Sequence, residues 1–137
     1  MAGNTTPIFA KNGKQSWTGN LTSGTNNYDG TSGTTLLFTA DATNGSFVNK
    51  VTCKAAGTNV ATVVRIFINN GSTTSTAANN ALCWEQSLPA TTASASSATI
   101  NFEIPLNIVL AAGYKLYVVM ATSVAAGWQF SAIGGDY

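Results

Sequence analysis

The chain contains no histidine. Histidine changes charge near neutral pH, and it serves in most Ser-His and Cys-His nucleophile pairs and in many metal sites. Its absence removes the commonest general base and the commonest metal ligand together. Charge of either sign is also scarce. Lys11, Lys14, Lys50, Lys54, Arg65 and Lys115 stand against Asp29, Asp41, Glu85, Glu103 and Asp136, giving a net charge of +1 and a charged fraction of 8%. An ordinary soluble protein carries about 25%. The cations are scattered, which argues against the basic surface with which nucleic-acid binders neutralise phosphates. Only two cysteines are present, Cys53 and Cys83. They allow one disulfide, but a domain of this length needs no staple, and two buried reduced thiols is the simpler reading. Without further ligands they cannot form a structural zinc site. No run approaches the ~18 apolar residues of a membrane span. The N-terminus lacks the basic segment and apolar run of a secretory signal. The expectation is a chain made in a cytoplasm, or assembled into a particle there, without membrane contact.

Uncharged polar residues fill the gap. Thr (20), Ser (12) and Asn (14) together account for 46 of the 137 residues. Thr suits a pleated, half-buried surface, while Ser, Asn and Gly supply turn geometry. Apolar residues recur with a period of two, the sign of strands with one dry side. Over 46–56, Phe47, Val51, Cys53 and Ala55 share one face and Val48, Lys50, Thr52 and Lys54 the other. Over 60–69, Val60, Val64, Ile66 and Ile68 fall inside, with Val63, Arg65 and Phe67 opposite. Leu82, Trp84 and Leu88 are in phase, as are Ile100, Phe102, Ile104 and Leu106, and then Tyr114, Leu116, Val118 and Met120. With further strands at 15–21, 34–40 and 127–133, this predicts about eight strands and no helix. The fold class is all-β: a single-domain antiparallel β-sandwich over 14–137, jelly-roll-like because several loops exceed ten residues. Residues 1–13 read as an N-terminal arm with a short apolar patch, Ile8-Phe9, or equally as a loose terminus.

Chemistry is hard to find in this composition. Glu85 and Glu103 are candidates for the paired carboxylates of a glycosidase, but each lies on the outward phase of its strand, where a solvated Glu is the ordinary case. Asp29 and Asp41 among many Asn side chains suggest oxygen ligands for Ca²⁺, yet neither has the dense acidic spacing of a calcium loop; turn formation explains both. The glycines of 24–33 lack the Gly-Lys-Ser/Thr ending of a phosphate loop and read as strand-connecting turns. No catalytic residue, metal ligand or cofactor-binding residue is assigned, and no enzyme activity is expected. Two sets of binding candidates remain. Ile8, Phe9, Arg65 and Phe67 are candidates for an assembly interface, since Arg and aromatics are enriched at interface cores; an outward Phe67 beside Arg65 is either a contact surface or is covered by a loop. Trp17 and Trp128 are candidates for stacking on sugar rings, whereas Trp84 is in phase with the core.

The run Tyr28-Asp-Gly-Thr-Ser-Gly-Thr-Thr-Leu-Leu-Phe-Thr-Ala40 is followed by Gly45-Ser-Phe-Val-Asn-Lys-Val51. With Ala61-Thr-Val-Val-Arg-Ile-Phe-Ile-Asn-Asn-Gly71 and the ending Leu110 to Val118 and Trp128 to Tyr137, these segments make up 50 of the 137 residues. They resemble small virion proteins of tailed bacteriophages. The resemblance implies a capsid decoration or cement protein, β-rich and often homotrimeric, that binds across major capsid subunits to stabilise the shell. It implies location on the capsid surface after assembly in the host cytoplasm, and it carries no functional residue with it. The alternative is a tail-associated receptor- or carbohydrate-binding module.

Overall fold

A computed structural model of the chain describes residues 9–137. Eight strands run in order: β1 Asn12–Trp17, β2 Thr35–Thr39, β3 Ser46–Ala55, β4 Thr62–Asn69, β5 Asn80–Leu88, β6 Asn101–Leu110, β7 Lys115–Met120 and β8 Trp128–Asp136. The one helical element among the described residues is a 3₁₀ turn, Ala77–Asn79. The strands form two four-stranded antiparallel sheets, β1-β8-β3-β6 and β2-β7-β4-β5. Each of the first four strands pairs with its counterpart counted back from the last: β1 with β8, β2 with β7, β3 with β6 and β4 with β5. The chain is thus one long hairpin, turned at 70–79 and rolled into two layers, which is a jelly roll. Ladders β3–β8 and β4–β7 close each layer.

The core lies between the layers. Val48, Val51, Cys53, Ile104, Leu110, Trp128, Phe130 and Ala132 meet Phe38, Val64, Ile66, Leu88, Leu116, Val118 and Met120, all buried. Trp128 is fully enclosed, and its indole Nε1 has no hydrogen-bond partner. Cys53 and Cys83 are free thiols. Burial pushes Cys53 up to about 12 and Cys83 up to about 11.

Two bulges change the expected phase. In β3 the pairing steps from Val48 to Lys50 against both neighbours: Asn49 is the extra residue against β8, while against β6 it faces two residues. Val48 therefore joins Val51 and Cys53 in the core, while Phe47 turns to the outer face, the reverse of the simple alternation. Opposite Asn49, β6 carries Leu106 and Asn107, and Asn107 sits at φ 49°, a conformation Asn tolerates better than most residues. In β5 the pairing steps from Trp84 to Leu82 against Ile66 and Phe67. Cys83 takes the seat against the core and Trp84 is pushed to the rim, 39% exposed, instead of being buried. Val60 is also misplaced by alternation alone: it precedes β4 and is exposed.

Large core side chains should dominate stability. Phe130→Ala removes a fully buried ring and is expected to cost about 3–5 kcal/mol. Val109→Ala, at an exposed position, should stay within about 0.5 kcal/mol of the parent. Urea denaturation of the two variants checks the contrast. Iodoacetamide provides a second check: at pH 8 both protonated thiols should resist labelling in the native protein and react fully once it is unfolded.

Candidate assembly surface

The outer faces of the two sheets differ. On the β2-β7-β4-β5 sheet, the segment 22–33 crosses the outside of β4 and β7. Thr25 N–H donates to Met120 O (2.7 Å), and Asn80 Nδ2 donates to Asp29 O (3.1 Å). Gly30, at φ 73°, lies so close to the Phe67 ring that a Cβ would stand 3.0 Å from it; no larger residue would let the backbone lie flat there. Below this strap Arg65 is 3% exposed and Phe67 is 1% exposed. The Arg65 guanidinium donates from Nε to Glu85 Oε1 (2.7 Å) and from Nη1 to Asn26 Oδ1 (3.0 Å) and Asn27 O (3.3 Å). The Tyr28 ring stacks on it at 3.6 Å. Arg65 and Phe67, expected as assembly-interface residues, are thus covered by the chain's own loop and do not form a surface. The strap was legible as turns, but its landing place was not.

The carboxylates are similarly accounted for. Glu85 pairs with Arg65, and Glu103 pairs with Lys50 at 2.7 Å. One stands on the outer face of each sheet, so the two do not flank a common cleft. Asp29 Oδ1 accepts from the Thr31 hydroxyl and N–H, and Asp41 Oδ1 accepts from the N–H groups of Asn44 and Thr43. These bonds hold both carboxyls below the usual range, as expected of turn-forming Asp. Among the described residues no group of three or more His, Cys, Asp or Glu side chains is placed to hold a metal ion.

The outer face of β1-β8-β3-β6 carries no such strap. Three rows of side chains cross it. One reads Trp17, Ser131, Thr52, Glu103; the next Gln15, Ile133, Lys50, Pro105; the third Gly13, Gly135, Phe47, Val109. Trp17 is 70% exposed and Val109 is 66% exposed. At the glycine end of the third row, Phe9, Ala10, Phe47 and Tyr137 line a recess of ≈ 250 Å³. Apolar side chains therefore sit at two corners of an open face with a Lys50–Glu103 pair between them. Of the expected binding residues, Phe9 and Trp17 lie on this face. Trp128 is enclosed in the core beside Phe102, with ring centroids 6.4 Å apart, and offers no ring to a sugar. Ile8 lies outside the described residues. Phe47 escapes the sequence reading because the bulge at Asn49 resets its phase, and Val109 because it lies beyond the strand expected at 99–106.

The sheet edges are closed to strand addition by several devices. β1 points Lys14 inward, with Nζ on Thr39 O (2.7 Å) and on Asp136 (3.2 Å). β2 has only five residues and a bulge. β5 is bulged at Cys83, and β6 carries Pro105 and the Asn107 bulge. What the molecule offers is a face and not an edge.

No family model matches the chain, and no curated protein matches it. Two solved structures are similar in backbone course. A chain of the cyanophage Pam1 capsid asymmetric unit is 14% identical, with 98% of this chain and 91% of that chain covered, at a TM-score of 0.40. A chain of infectious bursal disease virus, Gt strain, is 12% identical, with 97% and 36% covered, at a TM-score of 0.34. Neither likeness bears on function.

Arg65 is the charged anchor of the strap, beside the contacts from Thr25 and Asn80. Arg65→Ala should speed amide exchange across residues 26–30 by at least tenfold while protection in β3 and β8 is unchanged; equal protection in the strap would show that the loop is held by its backbone contacts instead.

Proposed function

We propose that this chain is a structural protein of a virus particle, a capsid decoration or cement protein that lays the open face of β1-β8-β3-β6 across neighbouring major capsid subunits. The observation that carries this reading is the asymmetry between the faces: one is sealed by the 22–33 strap, the other presents Trp17, Phe47 and Val109 among neutral polar groups. A flat face with apolar corners and one ion pair suits a broad interface with a few anchoring side chains. The near-neutral chain adds little long-range repulsion against close packing. The resemblance of 28–51, 61–71 and the two C-terminal runs to small tailed-phage virion proteins supplies the partner class. In this reading the protein has no enzymatic role, associates with itself as a homotrimer, and uses the N-terminal arm, with Ile8 and Phe9, as additional contact area.

A second reading, a tail-associated receptor- or carbohydrate-binding module, is favoured by one observation. The Trp17 ring is exposed beside Gln15, Ser131 and Thr52, a platform with polar neighbours of the kind that sugars use. Trp128 takes no part in it.

Copy number separates the two. Calibrated densitometry of purified particles from the source should give hundreds of copies, near parity with the major capsid protein or a simple fraction of it. A handful per particle would move the protein to the tail and favour the glycan reading, and absence from the particle would refute both. On particles stripped of the protein, Trp17→Ala combined with Val109→Asp should weaken rebinding at least tenfold, about 1.4 kcal/mol, without unfolding the domain.

A further inference from the structure

The sequence holds three asparagine–glycine pairs: Asn12-Gly13, Asn44-Gly45 and Asn70-Gly71. In such a pair the glycine nitrogen can attack the asparagine Cγ, because glycine has no side chain to crowd the five-membered ring that forms. Attack needs a backbone nitrogen that is not donating its hydrogen elsewhere, and room for the chain to swing. The fold meets these conditions unequally.

At the second pair Gly45 is buried, its N–H donates to Asp41 O (3.2 Å), and a Cβ on it would collide with Leu110 O. At the third, Gly71 N–H donates to Asn69 Oδ1 (2.8 Å). The Asn70 amide is engaged at both its polar atoms: Nδ2 donates to Asn79 Oδ1 (3.1 Å), and Oδ1 accepts from Ser72 N–H (3.1 Å). Both turns are pinned. Gly13 differs, because β1 is an edge strand. Thr18 N–H donates to Phe130 O (2.9 Å), and bonding alternates along an antiparallel ladder. Ser16, Lys14 and Asn12 therefore turn their backbone groups to β8, while Gly13 turns its N–H to the open edge. Apart from its chain neighbours, no described atom lies within 4 Å of a Cβ built on Gly13. Asn12 is exposed and is the first residue of its strand, where local opening costs least.

We propose that Asn12 is a site of spontaneous backbone modification, converting to aspartyl and iso-aspartyl forms while Asn44 and Asn70 persist, and that the conversion unlatches the start of β1. The Gly13 nitrogen bonds to Asn12 Cγ, the Cγ–Nδ2 bond breaks, and ammonia leaves with the proton that the glycine nitrogen gave up. Water then opens the cyclic imide. Opening at one carbonyl restores the main chain and leaves an aspartyl side chain. Opening at the other routes the main chain through the side-chain carbon, adding a methylene that shifts Lys11 against the rest of the ladder. Either product sets a carboxylate opposite Asp136, the ladder partner of Asn12, where like charges repel. The contact at risk is Lys11 N–H donating to Asp136 O (2.7 Å). Beyond it Ala10 rests on Gly135, and Phe9 lines the recess with Phe47 and Tyr137. Losing that bond frees this corner of the open face. The chemistry belongs to the free chain and does not depend on the capsid reading.

The test is peptide mapping by mass spectrometry on the full chain, aged in mildly alkaline buffer both folded and in urea. In the folded chain, conversion at Asn12 should run at least tenfold faster than at Asn44 and Asn70. In urea the three rates should fall within twofold of one another, because the protection of the two turns is lost. Gly13→Ala, at a position with room for the methyl group, should slow conversion at Asn12 at least tenfold in both states. The converted protein, separated by ion exchange, should show faster amide exchange at Lys11 with β3 unchanged. Equal rates at the three sites in the folded chain, or the same tenfold preference persisting in urea, would overturn the assignment. Unchanged exchange at Lys11 after conversion would overturn the unlatching.

Discussion

The β3–β8 ladder joins residues near 50 to residues near 130, and most of the architecture depends on it. Ser46 through Ala55 pair with Asp136 through Trp128. This pairing sets Val51, Cys53, Phe130 and Ala132 side by side as the floor of the core. It also fixes where β1 and β6 attach on either side, and hence which side chains form the rows of the outer face. Such a contact forms only after a long loop has closed, with its entropic cost. Once made, it imposes the register of the whole sheet. The bulge at Asn49 lies within this ladder and shifts register against both neighbours, so one residue decides that Val48 is interior and Phe47 exterior.

A chain with so little charge has limited means of keeping a second sheet face wet. The two sheets resolve this differently. β4 is apolar on both sides, with Val64 and Ile66 inward and Phe67 outward, and its outer side is sealed by a glycine-rich strap held on Arg65. Breaking a buried ion pair exposes the remaining charge to an apolar setting. Here the partner Glu85 is half in solvent, so Arg65 works as a tether for the loop more than as a stabilising pair. The β1-β8-β3-β6 face instead mixes Thr, Ser, Gln and one ion pair with apolar corners. That is a surface at home in water yet suited to close contact.

Much of this was legible in the residues. Period-two runs point to five of the eight strands, and the long connections point to a rolled sandwich; the first strand, expected at 15–21, begins earlier, at Asn12. The strand expected at 99–106 stops short of β6, which runs on to Leu110, because Pro105 looks like a terminus and the bulge at Leu106 and Asn107 has no local signature. The last strand was likewise ended at Ile133, before Gly134 and Gly135, which continue the ladder because neighbouring backbone leaves them no room for a side chain. The candidate surface was only half visible. Trp17 and Phe9 were identified as binding candidates, but Arg65 and Phe67 were misleading. Their outward phase is real; what covers it is a loop some forty residues away, and no local pattern records that.

Rolling a hairpin has a mechanical corollary. The beginning of β1 and the end of β8 are ladder partners, Asn12 opposite Asp136. A pull on the segment before β1 against the end of β8 therefore loads that ladder one rung at a time, as a zipper opens. A load pressed on the sheet face bears instead on the packed core between the two layers and pulls no rung apart. The geometry makes this domain weak as a tether held by its end strands and strong as a plate pressed on its face.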